Sequence, residues 1–323
     1  MLIEPVVDRD SLIAAVQQYY GRTVTSLEFV PVGWSTIGYK LRAGDSQYFL
    51  KLWPDRRKAA GALDRLPYVQ QLHAHGLRVA YPLATKHNQL SVQLPFGVVA
   101  LFPFLAGSSP PDWPLCPRSV LAEIGRTIGQ LHAIPLDLPF HEEFAVRTRE
   151  QLRPYFGGEV LRPYEAELAK ELDRLDELQQ LARLASGSFV VTHTDLIGNN
   201  ILVDDEGQLS VLDWDDVRLA PPEYDLSMLL HGVQPVDGTP LSTVLEVYPP
   251  RPLRLELFAF FLLRRGLDDF TARVVVLSER DRTPHEIADA REGLELWGAE
   301  QWRHLDRRLD LIRSALRGET LTG

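Results

Sequence analysis

Residues 190–203, VVTHTDLIGNNILV, place a histidine, an aspartate and two asparagines between two apolar runs with strong β propensity. Single Asp and Asn residues at strand ends are usually turn formers or caps. Here they follow a defined spacing, in which His193 and Asp195 are followed by Asn200 and then, after twelve residues, by Asp213. The combination of residue types at this spacing favours a chemical role over a structural one.

Asp195, Asn200 and Asp213 supply oxygen atoms suited to phosphoryl transfer. Hard divalent cations such as Mg²⁺ prefer carboxylate and amide oxygens, and Mg²⁺ usually takes one or two protein ligands together with substrate phosphates. Asn200 and Asp213 fit that requirement. Asp195 lies on a different loop, and this chemistry also needs a residue that accepts a hydroxyl proton or orients the nucleophile.

The elements around these residues predict how they are positioned. NILV and LSVLD flank DDEGQ, a turn-forming cluster, so they predict a hairpin that would place Asn200 opposite Asp213. Asp195 would end the preceding strand. We therefore expect the three side chains to converge where strands stop and loops begin.

The first third of the chain predicts an antiparallel sheet. SLEFVPV, IGYKLRA and QYFLKLW are short aromatic or β-branched segments separated by the turn sequences GWST and GDS. LSVQL and GVVALFPF add two further strands. Helices are expected over residues 10–21 and 56–76, with Pro67 in a first turn or at a kink.

Helices dominate the chain after residue 110, where the apolar periodicity changes. They are expected over 121–134, over 164–185 and through most of 253–317, with a break at 281–284. The pattern predicts an α+β fold with a small N-terminal sheet lobe, residues 1–105, and a larger, mostly helical C-terminal lobe, residues 106–323.

Composition limits the classes of partner. The net charge of −10 and pI near 5.4 argue against nucleic acid, which needs a basic face, and suit a cationic small molecule. The most apolar stretch, residues 94–107, is too short and proline-broken to span a bilayer. The single cysteine, Cys116, fits a reducing compartment. We expect a cytoplasmic monomer or homodimer without a membrane partner.

The motif around Asp195, Asn200 and Asp213 resembles the catalytic and metal motifs of the aminoglycoside phosphotransferase family, a branch of the protein-kinase-like fold. The resemblance extends to GWSTIGYKL, YFLKL, ALFPFLAG, IGRTIGQLHAI and PPEYDL. The first 21 residues are also similar to the start of spectinomycin phosphotransferases. The family is one of ATP-dependent kinases that modify hydroxyl groups on small molecules.

The resemblance implies a role for each matching residue. Asp195 would be the catalytic base, Asn200 and Asp213 the Mg²⁺ ligands, and His193 and Asp225 structural supports of the loop. The nucleotide would be bound by the phosphate-loop residues Gly33, Ser35 and Thr36, by Lys51 on its α and β phosphates, and by Phe102, Pro103 and Leu105 beside adenine. In the family this lysine is usually paired with a helical glutamate. Residues 56–76 contain no glutamate, so Asp64, the one acidic residue there, is the candidate partner and the partner of Lys51 stays open.

Several alternatives remain open. The acceptor would be an aminoglycoside or spectinomycin-type antibiotic, or an amino alcohol such as choline or homoserine, and the donor ATP or GTP. Asp268 and Asp269 form an acidic pair on a predicted helix. Either one of them contacts a cationic substrate, or the pair is solvated and bridged to Arg264, Arg265 or Arg273. A non-haem Fe(II) site using His193, Asp195 and His231 is a weaker hypothesis, because it leaves Lys51 without a role. A kinase-like module that binds nucleotide without transfer would be favoured if a motif residue were missing. Asp195, Asn200 and Asp213 are all present.

Overall fold

The computed structural model describes residue 4 and residues 6–31, 36–232, 237–279 and 282–318, with Pro114 described by its backbone alone. Its strands are β1 Val24–Val30, β2 Ile37–Ala43, β3 Ser46–Trp53, β4 Val92–Leu94, β5 Gly97–Pro103, β6 Val190–Thr192, β7 Ile201–Val203, β8 Leu209–Val211 and β9 Arg218–Ala220. Its helices are α1 Arg9–Ala15, α2 Arg56–Ala74, α3 Arg118–Ala133, α4 Thr148–Leu152, α5 Glu165–Ala185, α6 Glu223–Ser227, α7 Thr239–Leu245, α8 Leu255–Ser278, α9 Pro284–Gly293, α10 Glu300–Arg303 and α11 Leu305–Leu316. Turns of π-helix cover Val16–Tyr20 and Leu294–Ala299, and short 3-10 turns cover Trp113–Leu115, Arg153–Tyr155 and Gly198–Asn200.

The chain divides into two compact units, and each is discontinuous in sequence. The first comprises Met1–Ser109 and Asn199–Val217, and the second comprises Pro110–Gly198 and Arg218–Gly323. The hairpin that carries the predicted metal motif therefore belongs to the first unit. The division of the chain into two lobes after residue 105 stays a prediction.

A five-stranded antiparallel sheet forms the centre of the first unit, as the sequence predicts. The strand order is β1-β2-β3-β5-β4. Alternate residues along most of β3 are buried because successive side chains point to opposite faces of the sheet, whereas β5 is buried on both faces. Tyr39, Leu50 and Leu101 are buried in one cluster, and Leu12 and Val16 of the N-terminal helical segment belong to the same cluster.

Helix α2 covers the other face of this sheet. Asp55 caps its first turn, where the carboxylate accepts from the backbone N–H of Arg57 at 2.9 Å. Its buried residues, Ala59, Ala62, Leu66, Val69 and Leu72, recur at helical spacing. Pro67 lies inside α2 and not in a first turn.

The β7–β8 hairpin has a register one residue away from the predicted one. Val203 pairs with Leu209 and Ile201 with Val211, and the backbone N–H of Leu212 donates to the carbonyl oxygen of Asn200 at 2.9 Å. Asn200 is thus opposite Leu212, so the expectation that it lies opposite Asp213 is wrong.

Helix α8 is the central element of the second unit. Its buried residues surround the whole helix and include Phe258, Phe261, Leu267 and Phe270, which is typical of a core helix. Short strands β6 and β9 pair antiparallel in the same unit. Within the described residues, no helix combines the length and apolar character required for a membrane span.

Candidate active site

Lys51 lies on β3, in the first unit, and is held by two carboxylates. Its ammonium donates to Asp213 Oδ1 at 2.7 Å and to Asp215 Oδ1 at 2.9 Å. The Lys51 side chain is only 12% exposed. Burial opposes its charge, but the two aspartates outweigh this effect and raise the pKa of Lys51 above its ordinary value. Lys51 is therefore a buried cation at neutral pH.

Asp215 is the second carboxylate in contact with Lys51. It also accepts from the indole Nε1 of Trp53 at 3.4 Å. Burial and the nearby Asp213 raise the pKa of Asp215, while Lys51 acts in the opposite direction. Asp64 lies exposed on α2. The structure thus gives Lys51 the carboxylates of Asp213 and Asp215 as partners, and a role of Asp64 in the nucleotide site stays a prediction.

The predicted metal ligands, Asn200 and Asp213, lie at the open end of the β7–β8 hairpin, opposite its turn. Asn200 ends the short 3-10 turn before β7, and Asp213 follows β8 with a positive φ of 58°. The Asp213 side chain is 49% exposed, so one oxygen meets Lys51 while the carboxylate still borders solvent. Hard oxygen donors of this kind match Mg²⁺. The described residues contain no group of three or more His, Cys, Asp or Glu that could hold a metal.

The other nucleotide-site predictions lie in the first unit as well. Phe102 is buried and Pro103 ends β5, with Leu105 two residues beyond it. Thr36 precedes β2 and is partly buried. Gly33 and Ser35 lie outside the described residues. The roles of these residues stay predictions.

The loop that carries Asp195 belongs to the second unit, and hydrogen bonds to the Asp225 carboxylate fix its backbone. Both carboxylate oxygens of Asp225 accept backbone N–H groups, from His193 at 3.0 Å and from Thr194 at 2.7 Å. His132 Nε2 lies 3.1 Å from the same carboxylate. The strained positive φ of Thr194, 73°, is maintained by these bonds.

The carboxylate of Asp195 contacts Arg265, which the sequence suggested only as a partner of the acidic pair. Arg265 Nη1 donates to Asp195 Oδ1 at 2.6 Å, and Arg265 Nε donates to Asp269 Oδ2 at 2.9 Å. Asp269 also lies 2.8 Å from His231 Nε2. The spacing of Arg265 and Asp269, four residues apart on one helix, is the signal that could have indicated their pairing.

The two members of the predicted acidic pair have different surroundings. Asp269 is surrounded by Arg265, Arg273 and His231, whereas Asp268 is exposed and accepts from the Thr148 hydroxyl at 3.3 Å. The divergence follows from the rotation of about 100° between helical neighbours.

His231 is thus hydrogen-bonded to a carboxylate of its own unit. The described residues also lack a three-ligand metal group, so the alternative of an iron site with His193, Asp195 and His231 has no support in the structure.

The sequence matches the phosphotransferase enzyme family over residues 26–258, more than half of the chain. The chain belongs to this family. Its members are small-molecule phosphotransferases that act on hydroxyl groups, so the predicted enzyme class is confirmed.

Solved structures similar to this phosphotransferase share its kinase-like fold. A spectinomycin phosphotransferase in complex with ADP and spectinomycin is 18% identical, with a TM-score of 0.72 over 90% of this chain and 94% of that one. A microcompartment-associated aminopropanol kinase is 17% identical, with a TM-score of 0.67 over 94% and 100%. The choline kinase LicA from Streptococcus pneumoniae is 15% identical, with a TM-score of 0.63 over 89% and 98%.

At these identities the structural similarities establish the fold of the phosphotransferase and leave its acceptor undetermined. No curated protein sequence matches the chain. The predicted two-lobed kinase-like α+β fold is confirmed by the family and by these structures.

Proposed function

We propose that this phosphotransferase uses ATP and Mg²⁺ to phosphorylate a hydroxyl group on a small cationic molecule. The observation that carries the proposal is the 2.7 Å contact between Lys51 Nζ and Asp213 Oδ1. It joins a buried cation suited to nucleotide phosphates with a half-exposed carboxylate suited to a metal, both within the first unit.

The first unit would bind the nucleotide. Lys51 would contact the α and β phosphates, and the main chain and hydroxyls of Gly33, Ser35 and Thr36 would donate to phosphate oxygens. The edge formed by Phe102, Pro103 and Leu105 would receive the adenine. When nucleotide binds, the Lys51 ammonium would therefore donate to phosphate oxygens as well as to Asp213 and Asp215.

Asn200 and Asp213 would hold the magnesium ion. Their amide and carboxylate oxygens fit a hard cation, and two protein ligands suffice when substrate phosphates complete the shell. When bound, Mg²⁺ supplies positive charge that neutralises the phosphate oxygens. Asp215 would position Lys51 through the 2.9 Å contact between them.

Asp195 would act on the acceptor. The hydroxyl oxygen forms a bond to the γ-phosphorus, the bond from that phosphorus to the β–γ bridging oxygen breaks, and ADP leaves. The hydroxyl proton passes to the Asp195 carboxylate. The bonds from His193 and Thr194 to Asp225 support this role, because they fix the backbone from which Asp195 projects.

Asp268 is the stronger candidate for a contact with a substrate ammonium group. Asp269 is already compensated by two arginines, Arg265 and Arg273. Asp268 is exposed and lines an open cavity of about 290 Å³ in the second unit. A cation placed there would gain a charge-assisted hydrogen bond.

Two acceptor classes follow from the solved structures of this fold. An aminoglycoside or spectinomycin-type antibiotic is the first candidate, supported by the spectinomycin phosphotransferase. An amino alcohol of the choline or homoserine type is the second, supported by the kinases for aminopropanol and choline.

The proposal is tested by measuring ADP release from purified protein with ATP or GTP, Mg²⁺, and a panel of hydroxylated antibiotics and amino alcohols. We expect acceptor-dependent release with at least one amine. Asp195→Asn should lower turnover by on the order of a hundredfold while nucleotide affinity persists. Wild-type turnover by this variant, or release that never depends on an acceptor, would refute the proposal.

With the acceptor in hand, Asp268→Asn should raise its KM severalfold and leave the KM of ATP unchanged. Asp173→Asn is a matched control, because Asp173 is an exposed carboxylate on α5 in the same unit. An acceptor without an amine would refute the role of Asp268 and leave the kinase assignment intact.

A further inference from the structure

Arg265 connects the Asp195 carboxylate to a second carboxylate in the interior of the second unit. Its Nη1 donates to Asp195 Oδ1 at 2.6 Å and its Nε donates to Asp269 Oδ2 at 2.9 Å. His231 Nε2 lies 2.8 Å from the same Asp269 oxygen. The chain of contacts runs from Asp195 through Arg265 and Asp269 to His231, a buried residue.

The guanidinium is suited to this bridge because it presents donors on different edges of a rigid plane. Arg265 projects from the middle of α8, whose buried residues fix the helix in the core. The i,i+4 contact with Asp269 then fixes the guanidinium along the helix. The remaining Nη1 edge is directed at Asp195, so the helix determines the location of this donor.

The backbone of the Asp195 loop and the Asp195 side chain are fixed by different groups. Asp225 binds the backbone N–H groups of His193 and Thr194. These bonds determine where the side chain begins, whereas its rotamer depends on contacts made by the carboxylate. The Arg265 bond is such a contact and is short enough for a charge-assisted hydrogen bond.

We propose that Arg265 is a positioning residue, which holds the Asp195 carboxylate in one rotamer, and that Asp269 serves to hold Arg265. This inference rests on the proposed function, because it assumes that Asp195 acts on the acceptor hydroxyl. It gives the Asp269 carboxylate, which lies between Arg265 and Arg273, the role of holding the Arg265 guanidinium in place.

The neighbouring charges agree with a permanent cation at this position. Burial opposes the charge of Arg265, but Asp269 and Asp195 outweigh it and raise the pKa of Arg265. Burial likewise opposes the charge of Asp269, but Arg265 outweighs it and lowers the pKa of Asp269.

The other titratable groups facing this network come from several elements. His231 has a pKa lowered by burial, Arg273 lies 3.5 Å from Asp269, Tyr224 lies near Arg265, and His193 Nδ1 accepts from the Asp195 backbone N–H at 3.2 Å. Arg265 Nη1 is in direct contact with the Asp195 carboxylate, at 2.6 Å.

The first test compares Arg265→Gln with Arg273→Gln, which removes a different Asp269 contact on the same helix. Misplacement of a reacting group by about 1 Å can cost on the order of a hundredfold in rate, so Arg265→Gln should lower kcat by roughly tenfold to a hundredfold. The KM of ATP should stay within about twofold, since uniform binding is not altered. Arg273→Gln should retain kcat within about threefold.

A conservative variant separates positioning from a loss of folding. Arg265→Lys retains a charge but replaces the two-edged guanidinium with a point charge. It should keep the KM of ATP and the unfolding midpoint near the wild-type values while kcat still falls. Lysine also preserves a cation beside Asp269, so the inference remains testable if Arg265→Gln does not fold.

A double-mutant cycle distinguishes this inference from the proposed function. In an Asp195→Asn background, Arg265→Gln should lower the residual kcat by less than about threefold, because its effect acts through the missing carboxylate. An unimpaired Asp195→Asn enzyme would refute the proposed function itself. If Asp195→Asn is impaired but Arg265→Gln is harmless, or the two losses multiply in full, Arg265 does not act through Asp195 and this inference is overturned.

Discussion

The choice of partner by Lys51 gives a quantitative prediction for the first unit. The sequence favours Asp64 because it is the one acidic residue between 56 and 76, whereas the structure places Asp215 2.9 Å from the Lys51 ammonium. We expect Lys51→Met and Asp215→Asn to be thermodynamically coupled in the protein without nucleotide. Lys51→Met and Asp64→Asn should be additive.

The size of the coupling follows from the exposure of the partners. Lys51 is 12% exposed and Asp215 is 31% exposed, so their contact is partly withdrawn from water. A hydrogen bond between charged groups contributes about 1.5–3 kcal/mol, and a fully exposed ion pair contributes about 0–1 kcal/mol. Partial exposure places the coupling of Lys51 with Asp215 at about 1.5 kcal/mol. Asp64 should show less than about 0.5 kcal/mol, the usual limit of additivity for residues without a shared contact.

The assay is urea unfolding of the wild type, the three single variants and the two double variants, followed by tryptophan fluorescence. Trp53 is a local reporter, because Lys51 Nζ lies 5.1 Å from its ring and its Nε1 donates to Asp215 at 3.4 Å. Equal denaturant slopes across the set would show that the variants unfold in the same way. Coupling to Asp64 that equals or exceeds coupling to Asp215 would refute the reasoning.

Three further predictions concern the second unit. Burial lowers the pKa of His231 in the folded protein, whereas His231 of the unfolded chain takes up a proton near pH 6.5. The free energy of unfolding should therefore fall as pH decreases below 6.5, by at most about 1.4 kcal/mol per pH unit. Urea unfolding between pH 7.5 and 5.5 should show a smaller slope for His231→Gln and an unchanged slope for His87→Gln, an exposed control; equal slopes in all three would contradict the assignment. Gly125→Ala would place a Cβ 2.8 Å from a backbone oxygen of α7, so it should lower the unfolding free energy by about 1–3 kcal/mol. The control Gly187→Ala has open space around it and should change the unfolding free energy by less than about 0.5 kcal/mol. Similar denaturation midpoints for both variants would argue against close packing of α3 on α7. Burial raises the pKa of the Cys116 thiol to about 11, so a disulfide reagent at pH 8 should label the native protein more than about a hundredfold more slowly than the urea-unfolded chain, and fast labelling of the native protein would show that the thiol is accessible.

The elements of the first unit could be predicted because their residues follow local rules. Aromatic and β-branched residues between turn sequences identify IGYKLRA and QYFLKLW as strands, and the structure has them at Ile37–Ala43 and Ser46–Trp53. The long helices α5 and α8 were likewise expected from periodicity and length. These features depend on residues only a few positions apart.

The hairpin register was missed because it depends on how many residues the turn uses. Asp204 N–H donates to the carbonyl oxygen of Gln208 at 3.1 Å, and Gly207 has a φ of 75°. This turn closes on Val203 and Leu209 and therefore moves the partner of Asn200 to Leu212. Composition identifies a turn here, while the exact closure is set by backbone geometry.

The ion pairs of the candidate site could not be obtained from sequence patterns. Lys51 and Asp213 are 162 residues apart in the chain, and Arg265 and Asp195 are 70 apart. Motif spacing identified Asp195 and Asp213 as chemically active residues. Which cation contacts each of them depends on tertiary packing. The sequence contains several carboxylates that could have paired with Lys51.

The return of the chain to its first unit has a consequence for protein synthesis. Ser108 pairs with Val203 and Val79 with Val211, so residues made early need partners from Asn199–Val217. The ribosome must translate the intervening segment, residues 110–198, before these partners emerge, which takes roughly 4–18 s at about 5–20 residues per second. During that interval the nascent N-terminal sheet lacks the hairpin that it will later bind. A nascent chain arrested before residue 199 should therefore be more sensitive to protease in its first unit than one arrested well beyond residue 217.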